Sequence, residues 1–134
     1  GDTPGLYCLA THLGLRAAER RAQISRIADR IDRALDRPGC TGVLLLGDFN
    51  EWLPGHRRLK PFDRRLERAP RLSTFPSRFP FLALDRIWFS SRLRLESVEA
   101  IASEAARKAS DHLPLRAVLR LAAAPAMRRA ASVL

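Results

Sequence analysis

The sequence predicts an α/β fold, and three neighbouring stretches carry that prediction. Residues 5–12 are typical of a strand. Residues 16–37 repeat apolar side chains at a spacing of three and four, which places them on one face of a helix. Residues 43–46 are four apolar residues in a row and indicate a strand buried on both faces. A strand, a helix and a strand in this order predict a βαβ unit with parallel strands.

Length and composition permit one domain with a hydrophobic core of its own. The chain has 134 residues, of which 46% are hydrophobic. No stretch has the length of a transmembrane helix, and residues 1–15 show no signal peptide. The two cysteines, Cys8 and Cys40, have no metal-binding spacing. We expect Cys8 to be buried in its strand.

The chain is strongly basic, with a formal charge of +10 from 24 basic and 14 acidic residues. Of the basic residues 22 are arginines, which bind phosphate bidentately, although a compositional bias toward arginine explains the count at least as well. Residues 55–72 contain seven basic and two acidic residues, a net +5. This segment is either an electrostatic guide for an anionic substrate, through Arg57 and Arg58, or a solvated surface.

The remaining elements are predicted to be short. We expect a loop with a short helical stretch at 51–72, an extended or turn-like segment at 74–80, strands at 84–89, 92–101 and 115–121, a polar loop at 103–110, and a loosely ordered Ala- and Arg-rich tail at 122–134.

Asp48 and Asn50 directly follow the buried strand at 43–46. In an extended chain, residues i and i+2 point to the same side, so we expect the two side chains to face one space. Ligands of open α/β sheets bind outside the carboxyl ends of the strands. Other polar residues also stand at the edges of apolar runs: His12, Asp85, Asp111 and His112.

Three strand-end aspartates beside two histidines suit phosphoester hydrolysis. Hard oxygen ligands without a cysteine cluster favour Mg²⁺ or Mn²⁺ over Zn²⁺. A single aspartate at a strand end more often caps a turn, so these residue types alone indicate only this class of reaction.

Five motifs, in order, resemble the endonuclease/exonuclease/phosphatase superfamily, which includes DNase I-like and exonuclease III-like enzymes. They are Thr11-His12-Leu13, Glu19-Arg20 with Gln23, Gly47-Asp48-Phe49-Asn50, Leu84-Asp85-Arg86-Ile87 and Ser110-Asp111-His112-Leu113-Pro114. The resemblance implies a four-layer α/β sandwich, in which mixed sheets are flanked by helices. Because members are about twice as long, residues 1–121 resemble the C-terminal half of this domain.

The resemblance implies a catalytic role for five residues. Asp48 would polarise the attacking water, and Asn50 would help to place the water and the scissile phosphate. His112 would bind the phosphate and stabilise charge in the transition state, with Asp85 orienting its ring. His12 would contact the phosphate and serve as a general acid.

The resemblance also implies ligands and partners. Asp111 would bind the divalent metal, Mg²⁺ or Mn²⁺. Phe75 and Trp52 would contact a base or another substrate group, or else pack. The missing N-terminal half supplies further metal ligands in the family, so that half or a second copy of the chain is an expected partner. Among the branches of the superfamily, the sequence most resembles the generic bacterial members. The location stays unknown from the sequence, with the bacterial cytoplasm as the favoured expectation.

The sequence therefore leaves three functions open. The first is a metal-dependent phosphodiesterase, nuclease or phosphatase acting on DNA, RNA, a phospholipid or a small phosphoester. The second is a non-catalytic binding or assembly module of the same fold. The third is a basic nucleic-acid-binding domain, which would bind with a strong salt dependence.

Overall fold

The computed structural model describes residues 5–52 and 57–122. The elements of these ranges are, in order, β1 (Gly5–His12), α1 (Ala17–Leu35), β2 (Cys40–Asp48), a 3₁₀ turn (Arg57–Leu59) that runs into α2 (Lys60–Asp63), β3 (Glu67–Arg68), β4 (Asp85–Phe89), β5 (Leu93–Ala100), α3 (Glu104–Ala109) and β6 (Leu115–Leu121). The predicted tail lies outside the described residues beyond Ala122.

The strands form two sheets. The first is a mixed four-stranded sheet in the order β1-β2-β4-β3, and the second pairs β5 with β6. β1 and β2 run parallel, which confirms the predicted βαβ unit, whereas β4 runs antiparallel to both β2 and β3. The carboxyl end of β2 therefore lies beside the start of β4.

The main core lies between α1 and the first sheet. Helix α1 buries one apolar face, which includes Ile24 and Ile31, as its periodicity predicted. Three aromatic rings, those of Phe49, Phe62 and Trp88, fill the rest with edge-to-face contacts at centroid distances of 4.7 to 5.8 Å. This arrangement fixes the backbone of Phe49, which stands between Asp48 and Asn50.

The opposite face of the first sheet is only partly covered. Leu44, Leu46 and Ile87 face the β5–β6 sheet across an apolar groove of about 610 Å³. On β1, Leu6 is 51% exposed and Cys8 is exposed. The prediction that Cys8 is buried is therefore wrong, because its side of β1 faces away from α1 and no other described element covers it.

Two local predictions are wrong, and both concern short elements. The expected polar loop at 103–110 contains helix α3, which begins after Ser103 because the Ser103 hydroxyl accepts a hydrogen bond from the Ala106 N–H at 3.1 Å. The two-residue strand β3 was not predicted, since its exposed Glu67 and Arg68 carry no apolar alternation. No helix of the described residues is long and apolar enough to span a membrane.

Candidate active site

An open cleft of about 790 Å³ lies where β2 ends and β4 begins. The strand register places His12 opposite Asp48, and Asp48 opposite Asp85. Every residue that the sequence predicted as catalytic or metal-binding, together with Phe75, lines this cleft: His12, Asp48, Asn50, Phe75, Asp85, Asp111 and His112. Side chains from five separate segments of the chain are thus brought to one space.

Asp48 and Asn50 stand side by side because of a turn and not because of strand alternation. β2 ends at Asp48, and the Asn50 N–H donates to Asp48 Oδ1 at 2.8 Å. Asn50 has a positive φ of 47°, a conformation that asparagine tolerates better than most residues. Its side chain donates from Nδ2 to the carbonyl oxygen of Leu13 at 2.6 Å. The amide is therefore fixed in one orientation beside the carboxylate.

The position before Asp48 requires glycine. Gly47 has a φ of +142°, and a Cβ added there would lie 1.8 Å from the backbone oxygen of Thr11. The missing side chain therefore lets β1 approach the end of β2. This approach sets the distance between His12 and Asp48.

His112 and Asp85 form a hydrogen-bonded pair. The ring N–H at Nδ1 of His112 donates to Asp85 Oδ2 at 2.7 Å. The same oxygen accepts a hydrogen bond from the hydroxyl of Thr74 at 2.5 Å, and Thr74 is fully buried. Nδ1 is thus occupied, which leaves Nε2 of His112 directed toward Asp48.

The surroundings of His112 favour its charged form. Burial lowers the pKa of the imidazole, but the hydrogen bond with Asp85 and the charges of three carboxylates outweigh burial and raise the pKa above its ordinary value. These carboxylates are Asp85, Asp48 and Asp111. The imidazolium, when formed, can donate a hydrogen bond from Nε2 to an anion in the cleft.

The carboxylate of Asp48 lies between two imidazoles. Its Oδ2 is 3.6 Å from Nε2 of His12 and 3.8 Å from Nε2 of His112. His12 is 76% exposed, whereas Asp48 is only 12% exposed. A largely buried carboxylate in this position can accept a proton from water, and the two imidazoles beside it can donate hydrogen bonds.

The segment from Thr74 to Ser77 supports the site from behind, which the sequence did not predict. The Leu113 N–H donates to the Thr74 carbonyl at 2.8 Å, and the Ser77 N–H and hydroxyl each donate, at 2.7 Å, to the carbonyls of Asp111 and Ser110 respectively. Thr74 and Ser77 thus hold residues of the cleft in place, and neither was predicted as a site residue from the sequence. The sequence signal available for Thr74 was its place directly before the Phe75-Pro76 pair.

Phe75 contacts the histidine and lines the cleft as well. Its ring centroid lies 4.9 Å from that of His112, and its peptide bond to Pro76 is cis. Packing against His112 is thus one role of Phe75, and the predicted contact with substrate stays a prediction.

Arg57 and Arg58 do not line the cleft. Arg57 is exposed, and Nη1 of Arg58 lies 3.7 Å from Oε2 of Glu51. The 3₁₀ turn directs Arg58 toward that buried carboxylate, so binding of substrate by either arginine stays a prediction.

The metal-binding chemistry is incomplete within the described ranges. Asp111 is exposed in the cleft wall. Among residues 5–52 and 57–122, no group of three histidine, cysteine, aspartate or glutamate side chains is arranged to hold a metal ion. The donors present therefore do not fit a complete site on their own.

Comparisons with known proteins agree with this geometry. The model of the Endonuclease/Exonuclease/phosphatase family matches residues 1–112. The chain is 35% identical over 124 residues to the uncharacterized protein YbhP of Escherichia coli (strain K12), and equally to YbhP of Shigella flexneri. These alignments cover 87% of this chain and 47% of YbhP, so the chain spans about half the length of the curated relatives it matches.

Solved structures show the same fold. A functionally unknown conserved protein from Enterococcus faecalis V583 has a TM-score of 0.69 at 21% identity, over 86% of this chain and 50% of that one. The mannosyl-6-phosphatase Bt3783 of Bacteroides thetaiotaomicron gives 0.68 at 16% identity, over 85% and 51%. The human Nocturnin catalytic domain, solved with a bound sulfate anion, gives 0.65 at 24% identity, over 84% and 46%. The predicted half of a DNase I-like α/β sandwich is thereby confirmed.

Proposed function

The chain belongs to the endonuclease/exonuclease/phosphatase family, and on that premise we propose that its cleft hydrolyses a phosphoester by attack of water at phosphorus. The observation that carries the proposal is the position of Asp48 between His12 and His112, at 3.6 and 3.8 Å, with Asp85 bonded behind His112. A general base and a charged hydrogen-bond donor therefore face the same space.

The proposed reaction uses these residues as follows. Asp48 accepts a proton from water, whose oxygen forms a bond to phosphorus while the bond from phosphorus to the leaving oxygen breaks. The imidazolium of His112 donates to a non-bridging oxygen and offsets the growing negative charge. His12, which is exposed beside Asp48, supplies a proton to the leaving oxygen. Asn50 holds the water or the phosphate beside Asp48.

A divalent metal is part of the proposal but not of the steps above. Mg²⁺ or Mn²⁺ would suit Asp111 and other oxygen donors, and would supply charge stabilisation on the phosphoryl group. Since the described residues lack a group of three ligands, we propose that further ligands come from another polypeptide segment.

That segment is also expected to cover the apolar groove between the two sheets. The groove borders Asp85 and His112, and half-buried leucines line it. Because the chain spans about half the length of YbhP, we propose that the other half of the family's fold occupies the groove. A doubled solution mass would instead indicate a second copy of this chain.

The charge of the chain bears on the substrate class that we propose. A net charge of +10 favours a polyanion such as nucleic acid over a small neutral ester. A small phosphoester is tested as well, because the mannosyl-6-phosphatase Bt3783 has the same fold.

A second function is favoured by the incomplete metal site. If the described residues 5–52 and 57–122 are all that the site contains, with no group of three metal ligands among them, the cleft would bind phosphoesters without turning them over. A role as a basic nucleic-acid-binding domain is separate from these two, and it predicts binding of nucleic acid that weakens as salt is added. Binding that resists added salt would count against this role.

The test is hydrolysis of bis(4-nitrophenyl) phosphate and of plasmid DNA with Mg²⁺, with Mn²⁺ and with EDTA, alongside the solution mass. We expect activity that EDTA removes where a second segment, or a second copy of the chain seen in the solution mass, completes the metal site. We also expect that Asp48→Asn and His112→Ala abolish activity while the variants remain folded. Asp36→Asn, an exposed carboxylate at the end of α1, is the matched control for the loss of charge. Full activity in Asp48→Asn would refute the mechanism, and binding without turnover would support the second function.

A further inference from the structure

Two side chains of α1 hold the turn that follows His12. Arg20, only 5% exposed, donates from Nη1 to the carbonyl oxygens of Gly14 at 3.1 Å and Leu15 at 2.6 Å. Gln23, one turn further along the same face, accepts a hydrogen bond at Oε1 from the Gly14 N–H at 2.9 Å. Three backbone groups of this turn are therefore bonded to the helix.

The same turn is bonded to the site. The Leu13 N–H donates to the backbone oxygen of Asp48 at 2.9 Å. The Leu13 carbonyl accepts the hydrogen bond from Nδ2 of Asn50 at 2.6 Å, and Leu13 is 1% exposed. The orientation of the Asn50 amide thus depends on where the Leu13 carbonyl lies.

Arg20 also contacts the chain on the other side of Asn50. Its Nε lies 3.9 Å from Oε2 of Glu51, which directly follows Asn50 and is 2% exposed. The backbone oxygen of Glu51 accepts a hydrogen bond from Nη2 of Arg86 at 2.6 Å. One guanidinium is therefore hydrogen-bonded to the turn after His12 and lies beside the carboxylate of the residue after Asn50.

We propose that Arg20, assisted by Gln23, is a positioning residue of the phosphoester site: it fixes the turn after His12 against Glu51 and thereby orients the side chain of Asn50. The role rests on the proposed function. The planar guanidinium presents donors at fixed angles, so one side chain serves two carbonyls and faces a carboxylate, which an apolar chain of similar length does not do. Neither Arg20 nor Gln23 lines the cleft, so both would act on it through the backbone of the turn.

The sequence offers an unusually direct readout. Asn50 is the only asparagine and Gln23 the only glutamine of the chain, so an NMR spectrum contains just two side-chain carboxamide NH₂ pairs. In the full wild-type chain we expect the Asn50 pair to exchange slowly with water, because its amide is bonded to a buried carbonyl. In Arg20→Met we expect a changed shift and faster exchange of this pair. Arg26→Met, an exposed arginine further along α1, is the matched control and should leave the Asn50 pair unchanged.

Kinetics of the same variants provide the second measurement. For hydrolysis of bis(4-nitrophenyl) phosphate we expect Arg20→Met to lower kcat on the order of 10²-fold, the effect of a misplaced reacting group, with little change in KM. Gln23→Leu should show a smaller loss in the same direction, since it removes one hydrogen bond of the turn.

Each outcome decides the proposal. A folded Arg20→Met chain whose Asn50 pair keeps its shift and slow exchange overturns it, even if the variant is less stable, because arginine would then serve stability alone. If Arg20→Met does not fold, Gln23→Leu is judged by the same criterion. The NMR measurement needs no turnover. Absence of hydrolysis in wild-type protein whose groove is covered by a second segment or copy would contradict the proposed function separately from this proposal.

Discussion

Replacing Gly47 by alanine tests whether the close approach of β1 and β2 builds the site. A Cβ at this position would lie 1.8 Å from the backbone oxygen of Thr11 and 3.0 Å from its nitrogen. Neither atom can move aside as the end of a side chain does, so the parallel strands must separate. Since His12 and Asp48 are register partners one position further along, separation of the strands also displaces the base from its neighbour.

The magnitude follows from two terms. A side chain at a φ of +142° costs on the order of 1–3 kcal/mol. Weakening one or two hydrogen bonds between the strands adds roughly 0.5–1.5 kcal/mol for each. We therefore expect Gly47→Ala to lower the free energy of unfolding by about 3 kcal/mol or more, which for a chain of 134 residues corresponds to a fall in Tm of about 10 °C.

Gly42→Ala on the same strand is the control. There a Cβ would lie 3.0 Å from Cγ of Leu93 and 3.2 Å from Cδ1 of Leu6, which are side-chain atoms that can shift. Its cost should be about 1 kcal/mol, near the lower end for overpacking, or about 4 °C in Tm. Thermal unfolding followed by circular dichroism measures both variants. The reasoning is refuted if Gly47→Ala melts no lower than Gly42→Ala.

Three further predictions concern the site and the core behind it. Thr74→Val removes a hydrogen bond to a carboxylate, and we expect it to lower the free energy of unfolding in urea titrations by about 1.5–3 kcal/mol. The control Ser73→Ala, at an exposed neighbour, should change this free energy little. Equal effects of the two variants would contradict the prediction. Because the folded-state pKa of His112 is raised, its stabilising contribution is complete below the unfolded value of 6.5 and is lost as pH rises through the folded value. The stability difference between wild type and Asp85→Asn should therefore be larger at about pH 5 than at about pH 9, and a difference that grows with pH would show the sign to be wrong. Phe49→Ala should cost about 3–5 kcal/mol by chemical denaturation, since the ring is fully buried between two other aromatic rings; a cost below about 1 kcal/mol would show that the core repacks freely.

The sequence by itself determined the βαβ unit and several of the polar residues that line the cleft. Apolar periodicity in α1 and the apolar run of β2 are local patterns, and each reflects burial of one face or of both. The residues His12, Asp48, Asn50 and Asp85 could be identified because the strand ends that carry them are visible in the sequence as ends of apolar runs.

Only the tertiary structure decided how these residues are held. The hydroxyl of Thr74 reaches Asp85, and the guanidinium of Arg20 reaches both Leu15 and Glu51, through contacts between segments that have no fixed spacing in sequence. The exposure of Cys8 was equally unpredictable, because an alternating strand shows which residues share a face but not whether another layer covers that face. Local pattern thus specifies elements and their faces, whereas the partners of a polar side chain depend on how distant segments meet.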